Sequence, residues 1–189
     1  MCGIVGIIEF DHSANVVNEV RLTQMRDAMA HRGPDGAGIW LSSDKKVGFG
    51  HRRLAIIDPT ESANQPMVSP DGRYSLVYNG EIYNHSEIRN QLIALGHHNW
   101  QTDHSDTEVL LHAFMEWGIA CVEQFRGMFA FTIWDRDEQV LWLCRDHIGI
   151  KPLYYCQSEN RLIFASEIKA ILADQRVPRA VNEEALFHY

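Results

Sequence analysis

The chain opens on a nearly unbroken apolar run, Ile4, Val5, Ile7, Ile8 and Phe10, in which glycine fills the gaps before Glu9. A short run of this kind, without alternation, predicts a strand buried on both faces. From Val16 the period lengthens. Val16, Val20, Met25 and Met29 recur at helical spacing, with Asn15 placed to cap the helix. The cluster His31-Arg32-Gly33-Pro34-Asp35-Gly36 ends it. Residues 37–41 and 47–50 read as paired strands, 54–58 as a further apolar stretch and 59–71 as loop. Residues 75–78 read as a short strand ending at Asn79-Gly80. Residues 85–95 and 106–117 carry amphipathic helical spacing. Residues 127–134 and 140–145 flank Asp135-Arg136-Asp137-Glu138, and residues 153–156 and 162–165 flank Ser158-Glu159-Asn160, so two further hairpins are expected before a helix at 167–173. Strands thus come in hairpin groups with helices clustered between them. That predicts an α+β fold of antiparallel sheets covered by helices rather than alternating βαβ units.

Composition narrows the function classes. At 189 residues the chain is long enough for one domain with a substantial core. No apolar run is long enough to span a membrane, so no membrane partner is expected. The net charge of −8, without any cluster of Lys and Arg, argues against a nucleic-acid partner. The amino terminus lacks a basic region and soon meets Glu9 and Asp11, unlike a secretory signal, so a cytoplasmic location is expected. Four cysteines (Cys2, Cys121, Cys144, Cys156) lie far apart with no Cys-x-x-Cys, which favours reduced thiols. The densest histidines, His97-His98 and His104, lack metal-ligand spacing, and no metal site is expected.

Cys2 carries the candidate chemistry. Once Met1 is removed, one residue holds both a thiol nucleophile and a free α-amine. The amine titrates at about 7.7–8.0 in reference compounds and can act as a base near neutral pH. The thiol, at about 8.5, is only slightly ionised there and needs one. Taken alone, Cys2 reads equally as a small apolar residue leading into a buried strand.

Other segments decide between these readings. Cys2-Gly3-Ile4, His31-Arg32-Gly33-Pro34-Asp35, residues 51–58 (His-Arg-Arg-Leu-Ala-Ile-Ile-Asp), Asn79-Gly80-Glu81-Ile82-Tyr83-Asn84-His85, Ser105-Asp106-Thr107-Glu108, residues 126–131 (Arg-Gly-Met-Phe-Ala-Phe), and Arg145-Asp146 with residues 149–154 (Gly-Ile-Lys-Pro-Leu-Tyr) occur in this order. Together they resemble the glutaminase domain of glutamine-hydrolysing asparagine synthetases, a class II glutamine amidotransferase of the Ntn-hydrolase type, over residues 2–186. The resemblance implies a four-layer αββα sandwich of two antiparallel β-sheets. It implies glutamine as substrate, Cys2 as nucleophile, and Asn79 with Gly80 as oxyanion hole. It also implies Arg53 for the substrate carboxylate, Asp106 for its ammonium group, and Leu54, Ile56, Ile57 and Glu81 as lesser contributors. An isolated Asn-Gly pair would ordinarily be read as a type I′ turn. Ser105-Asp106-Thr107-Glu108 alone reads as the capped first turn of a helix, with Ser105 or Thr107 satisfying helix donors. Arg32 to Asp35 and Arg145-Asp146 read as structural turns and buried ion pairs.

In this family a second domain amidates a carboxylate with ATP and Mg, and its Ser-Gly-Gly-x-Asp-Ser loop does not occur in these 189 residues. Residues 187–189 resemble the start of the join to that domain. No cofactor is therefore expected here, and the expected partner is a synthetase domain or subunit. Oligomeric state is left open, a homodimer being one arrangement. The alternative function is a non-catalytic regulatory or binding module that keeps the glutaminase fold.

Overall fold

The computed structural model describes residues 1–10, 16–58, 60–181 and 183–187. Along the chain the elements are β1 (Gly3–Glu9), α1 (Glu19–Asp27), β2 (Gly36–Leu41), β3 (Val47–Arg53), β4 (Met67–Val68), β5 (Tyr74–Ile82), α2 (His85–Ala94), α3 (Asp106–Trp117), β6 (Gly127–Asp135), β7 (Val140–Arg145), β8 (Tyr154–Ser158), β9 (Arg161–Ala165), α4 (Ile168–Leu172) and α5 (Glu183–Phe187). One sheet has the order β2-β3-β1-β9-β8 and the other β4-β5-β6-β7. Every ladder between these strands is antiparallel.

Three apolar layers separate four layers of structure. Val5, Ile7 and Ile163 on the first sheet pack with Leu22 and Met25 of α1 and Ala170 and Ile171 of α4. Ile4, Ile8, Phe49 and Phe164 on its other face meet Val77, Ala130 and Trp134 of the second sheet. The far face of that sheet, with Leu76, Phe129 and Phe131, packs on Ile88 and Leu92 of α2 and Val109 and Leu110 of α3. This is the expected αββα sandwich. Alternate residues of β1 enter two different apolar layers, and all seven are buried, so its sequence carries no polar face. Gly6 makes room at the sheet-to-sheet contact, because a Cβ there would enter the Phe164 ring and come within 2.9 Å of Phe49. Those two rings pack edge to face at 5.7 Å.

Several boundaries differ from the sequence reading. Helix α1 begins at Glu19, capped by Asn18, whose Oδ1 accepts from the Arg21 amide at 3.0 Å. Asn15 lies outside the described residues. Val16 and Val20 are exposed, and the buried residues of this segment are Val17, Leu22, Met25 and Met29. Most consequentially, β5 does not stop at Asn79-Gly80. It continues to Ile82, with Asn79 opposite Ala130 and Gly80 opposite Phe129. A nine-residue partner strand outweighs the local turn preference of Asn-Gly. The chain turns instead at Tyr83-Asn84, where Asn84 donates to the Gln124 carbonyl and accepts from the Arg126 amide, both at 2.9 Å.

Candidate active site

Because β1 is the middle strand of its sheet, the residue before it, Cys2, is delivered to the end of the sheet-to-sheet layer. A cavity of about 170 Å³ opens there. All nine residues singled out from the sequence line it: Cys2, Arg53, Leu54, Ile56, Ile57, Asn79, Gly80, Glu81 and Asp106. They arrive from the start of β1, the end of β3 and its following loop, the end of β5 and the start of α3. Clefts that hold drug-sized ligands run to roughly 300–1,000 Å³, so this one suits a ligand of amino-acid size.

The Cys2 thiol touches the backbone of Leu54, accepting from its amide at 3.4 Å and facing its carbonyl at 3.7 Å. Burial pushes its pKa up against the opposing effects of the Leu54 contact, the amino terminus and Arg53. The thiol therefore rests protonated near neutral pH and needs a base. No histidine lines the cavity among the described residues. Buried His51 is held down at about 3, chiefly by burial, so it stays neutral across the ordinary pH range. The amino group at the chain start, here that of Met1, is itself shifted down, chiefly by burial, with Arg32 and Lys151 acting in the same direction.

Asn79 is 1% exposed, and its Nδ2 has no hydrogen-bond partner among the described residues. Leaving a buried donor unpaired costs about 1–3 kcal/mol. In a cavity that also holds the Cys2 thiol, such a donor is free to bond an acceptor brought in from outside. Gly80 beside it admits no side chain. A Cβ there would lie 2.5 Å from the Met128 carbonyl and 2.6 Å from the Tyr78 ring.

Arg53 uses three of its five N–H donors to hold the adjoining loop. Nη1 donates to the Thr60 carbonyl and to Asn64 Oδ1, each at 2.8 Å, and Nη2 donates to the Asp58 carbonyl. The other two donors have no hydrogen-bond partner among the described residues. Asp106, at the N-terminus of α3, accepts at Oδ2 from the Tyr78 hydroxyl (2.7 Å) and the Ile82 amide (3.1 Å). Burial pushes its pKa up, while those two hydrogen bonds oppose the shift. Its neighbours do not cap the helix as expected. Ser105 makes no side-chain cap bond, and Thr107 accepts from Gln65 Nε2 at 3.3 Å. Glu108 instead holds the loop before the helix, accepting from the amides of Gln101 and Thr102 and from the Thr102 hydroxyl.

The sequence reading missed several participants. Arg32 makes the expected ion pair, its Nη1 donating to Glu167 Oε1 at 3.0 Å, but its Nε also donates to the Cys2 carbonyl at 2.9 Å, a clamp on the Cys2 backbone that the sequence did not show. Tyr78 and Gln65 brace Asp106 and β5, the Gln65 Oε1 accepting from the Tyr78 amide at 2.6 Å. Lys151 also lines the cavity. Only the spacing of these residues in the motif could have hinted at them, since their partners lie 13 or more positions away. The reading of Arg145-Asp146 as a structural turn holds, the Gly149 amide donating to the Asp146 carbonyl at 3.0 Å. Its reading as a buried ion pair is replaced by a loop brace. Asp146 accepts from the amides of Phe129, Ile150 and Lys151, and Arg145 donates to the carbonyls of Gly149 and Lys151. Among the described residues, no group of three or more His, Cys, Asp or Glu is placed to hold a metal ion, and no helix is long and apolar enough to cross a membrane.

The family model described as "Glutamine amidotransferase domain" matches residues 1–189. This chain belongs to that family. Asparagine synthetase [glutamine-hydrolyzing] 3 of Bacillus subtilis is 40% identical over 188 residues, covering 98% of this chain and 30% of the relative. Asparagine synthetase [glutamine-hydrolyzing] 1 of the same organism is 42% identical over 190 residues, covering 100% of this chain and 29% of the relative. The chain thus spans about three tenths of these relatives. The solved B. subtilis glutamine phosphoribosylpyrophosphate amidotransferase, complexed with ADP and GMP, superposes with a TM-score of 0.73 over 91% of this chain and 43% of its own. At 24% identity that likeness concerns the fold, and it agrees with the Ntn-hydrolase sandwich implied by the motifs. The glutamine amidotransferase domain found here is homologous to the glutaminase part of asparagine synthetases.

Proposed function

We propose that the cavity binds glutamine and hydrolyses its side-chain amide to glutamate and ammonia. The observation that carries this reading is one cavity lined by Cys2 at the chain start and by Asn79, whose buried amide N–H₂ has no partner among the described residues. After removal of Met1, the Cys2 thiol gives its proton to its own α-amine and Sγ bonds to the amide carbon. The developing oxyanion takes hydrogen bonds from Asn79 Nδ2 and the Gly80 amide. The C–N bond breaks as the α-ammonium returns its proton to the leaving nitrogen, which departs as ammonia. Water, deprotonated by the same amine, attacks the thioester, and glutamate leaves as the thiolate is reprotonated.

Arg53 takes the substrate carboxylate and Asp106 its ammonium group, with Leu54, Ile56, Ile57 and Glu81 completing the cradle. Residues 2–186 form the glutaminase unit in this reading. The ammonia feeds an ATP- and Mg-dependent amidation of the asparagine-synthetase kind in a separate synthetase domain or subunit. The test is to supply protein lacking Met1 with glutamine and measure glutamate and ammonia, while a glutamine-mimicking diazoketone should add one mass increment at Cys2. Binding of glutamine without turnover would favour the non-catalytic module instead.

Two predictions concern substrate binding. Arg53→Lys keeps the charge but loses the planar fork, so KM should rise about 10- to 100-fold, the loss of one charge-assisted hydrogen bond, with a smaller change in kcat. A fall in kcat at constant KM would remove Arg53 from the carboxylate. Asp106 must be ionised to hold an ammonium group. KM should therefore be flat above the Asp106 pKa and climb as pH falls through it. Because burial raises that pKa, the climb should begin above the usual carboxylate range near 3.9. Steady-state KM against pH checks this, and Asp106→Asn should raise KM and flatten the profile.

A further inference from the structure

Arg145-Asp146 and the loop that follows had no place in the chemistry above, yet the loop is tightly built. Asp146 accepts from the Ile150 amide at 2.8 Å and the Lys151 amide at 3.0 Å, and Arg145 donates to the Gly149 carbonyl at 2.6 Å and the Lys151 carbonyl at 2.7 Å. Gly149 takes φ +67°, and a Cβ there would lie 2.9 Å from the Arg145 guanidinium. Neither charge of the Arg-Asp pair lines the cavity. Lys151 does, although it is only 4% exposed. A buried ammonium is costly unless paired. Among the described residues the hydrogen-bond acceptor of Lys151 Nζ is the thioether of Met1, at 3.3 Å, and a thioether is a weak acceptor. Met1 is the residue whose removal the proposed mechanism requires, and its removal takes that acceptor away from Nζ.

We propose that Lys151 is a positioning residue for the Cys2 α-amine, its ammonium donating to the amine once Met1 is gone and so favouring the unprotonated amine. This rests on the glutaminase reading and adds to it the residue that readies the base. A neutral amine has a lone pair to accept that hydrogen bond; a protonated amine has none and is repelled. The charged groups around the chain start are Arg32 from the turn after α1, Asp35 ahead of β2, Glu81 on β5, Lys151 and the Cys2 thiol, with Arg53 and Asp106 beyond the thiol. The Arg32 guanidinium spends Nε on the Cys2 carbonyl and Nη1 on Glu167, while its buried Nη2 has no partner among the described residues. Lys151 is the cation there whose described acceptor, the Met1 thioether, leaves with Met1.

The experiment compares wild type, Lys151→Met, Lys151→Gln and Lys151→Arg, all lacking Met1. Removing the cation should raise the amine pKa, so the acid limb of kcat/KM against pH should move up by about one pH unit in the Met and Gln variants and return towards wild type in the Arg variant. In protein labelled with 13C-cysteine, the Cys2 Cα shift should titrate with a midpoint moved by the same amount, a readout that needs no turnover. A moved midpoint in protein that does not hydrolyse glutamine would support the role of Lys151 and sink the glutaminase reading alone. An unmoved midpoint in folded Met and Gln variants would overturn the proposal, as would an activity loss equal at every pH.

Discussion

Replacing Cys2 by alanine should abolish glutamine hydrolysis, lowering kcat by about 10⁴-fold or more, the scale seen when a covalent nucleophile is removed. The expected loss follows from the division of labour in the cavity. The thiol makes and breaks the acyl bond, while the α-amine moves protons and the remaining groups bind and polarise the amide. Cys2→Ser should fall nearly as far, because a hydroxyl is a much poorer nucleophile than a thiol and the α-amine must then remove a far less acidic proton. Both variants should keep the fold, since Cys2 precedes β1 and contributes no side chain to the three apolar layers. Glutamate release and intact-mass analysis after Met1 removal provide the check. Full activity in protein that retains Met1 would exclude the α-amine as base.

Asn79→Ala should lower kcat by about 10²–10³-fold with little change in KM, the effect of deleting one oxyanion donor. The amide is worth most when negative charge develops on the substrate oxygen, and it discriminates little before that moment. Stability should hardly fall, because the lost N–H₂ has no partner among the described residues. Steady-state kinetics and a thermal melt distinguish this from a packing role. A rise in KM with kcat untouched would move Asn79 from the oxyanion hole to the substrate cradle.

The two substitutions act on residues that were legible to different degrees. Cys2 was marked by its position, since loss of Met1 would join thiol and free amine in one residue. The other motifs were needed to choose that reading over a small apolar residue entering a strand. Asn79-Gly80 was marked by the residues around it, while its local conformation was misread. A turn propensity is a property of four residues, whereas the observed strand depends on β6, whose partners for this pair lie about fifty positions further along the chain. That difference matters, because a turn would have left the Asn79 amide in solvent and the strand buries it without a partner.

What the sequence determined by itself was whatever depends on local period and on motif order. The alternation between strand-like and helical spacing gave the α+β class and most helix and hairpin positions, and the ordered motifs led to the amidotransferase family and to nine residues that line one cavity. Tertiary structure alone decided how these residues are held. The Arg32 clamp on the Cys2 carbonyl spans 30 positions, the Tyr78 bond to Asp106 spans 28, and the contact between Lys151 and Met1 spans 150. No local pattern encodes such pairings. Arg32 and Asp106 carry ordinary turn and helix-start residues in sequence, and their roles arise only when buried charges and amides must find partners across the sandwich. The same necessity separates the Arg145-Asp146 pair, which spends its hydrogen bonds on backbone, from Lys151, which the resulting loop carries into the cavity.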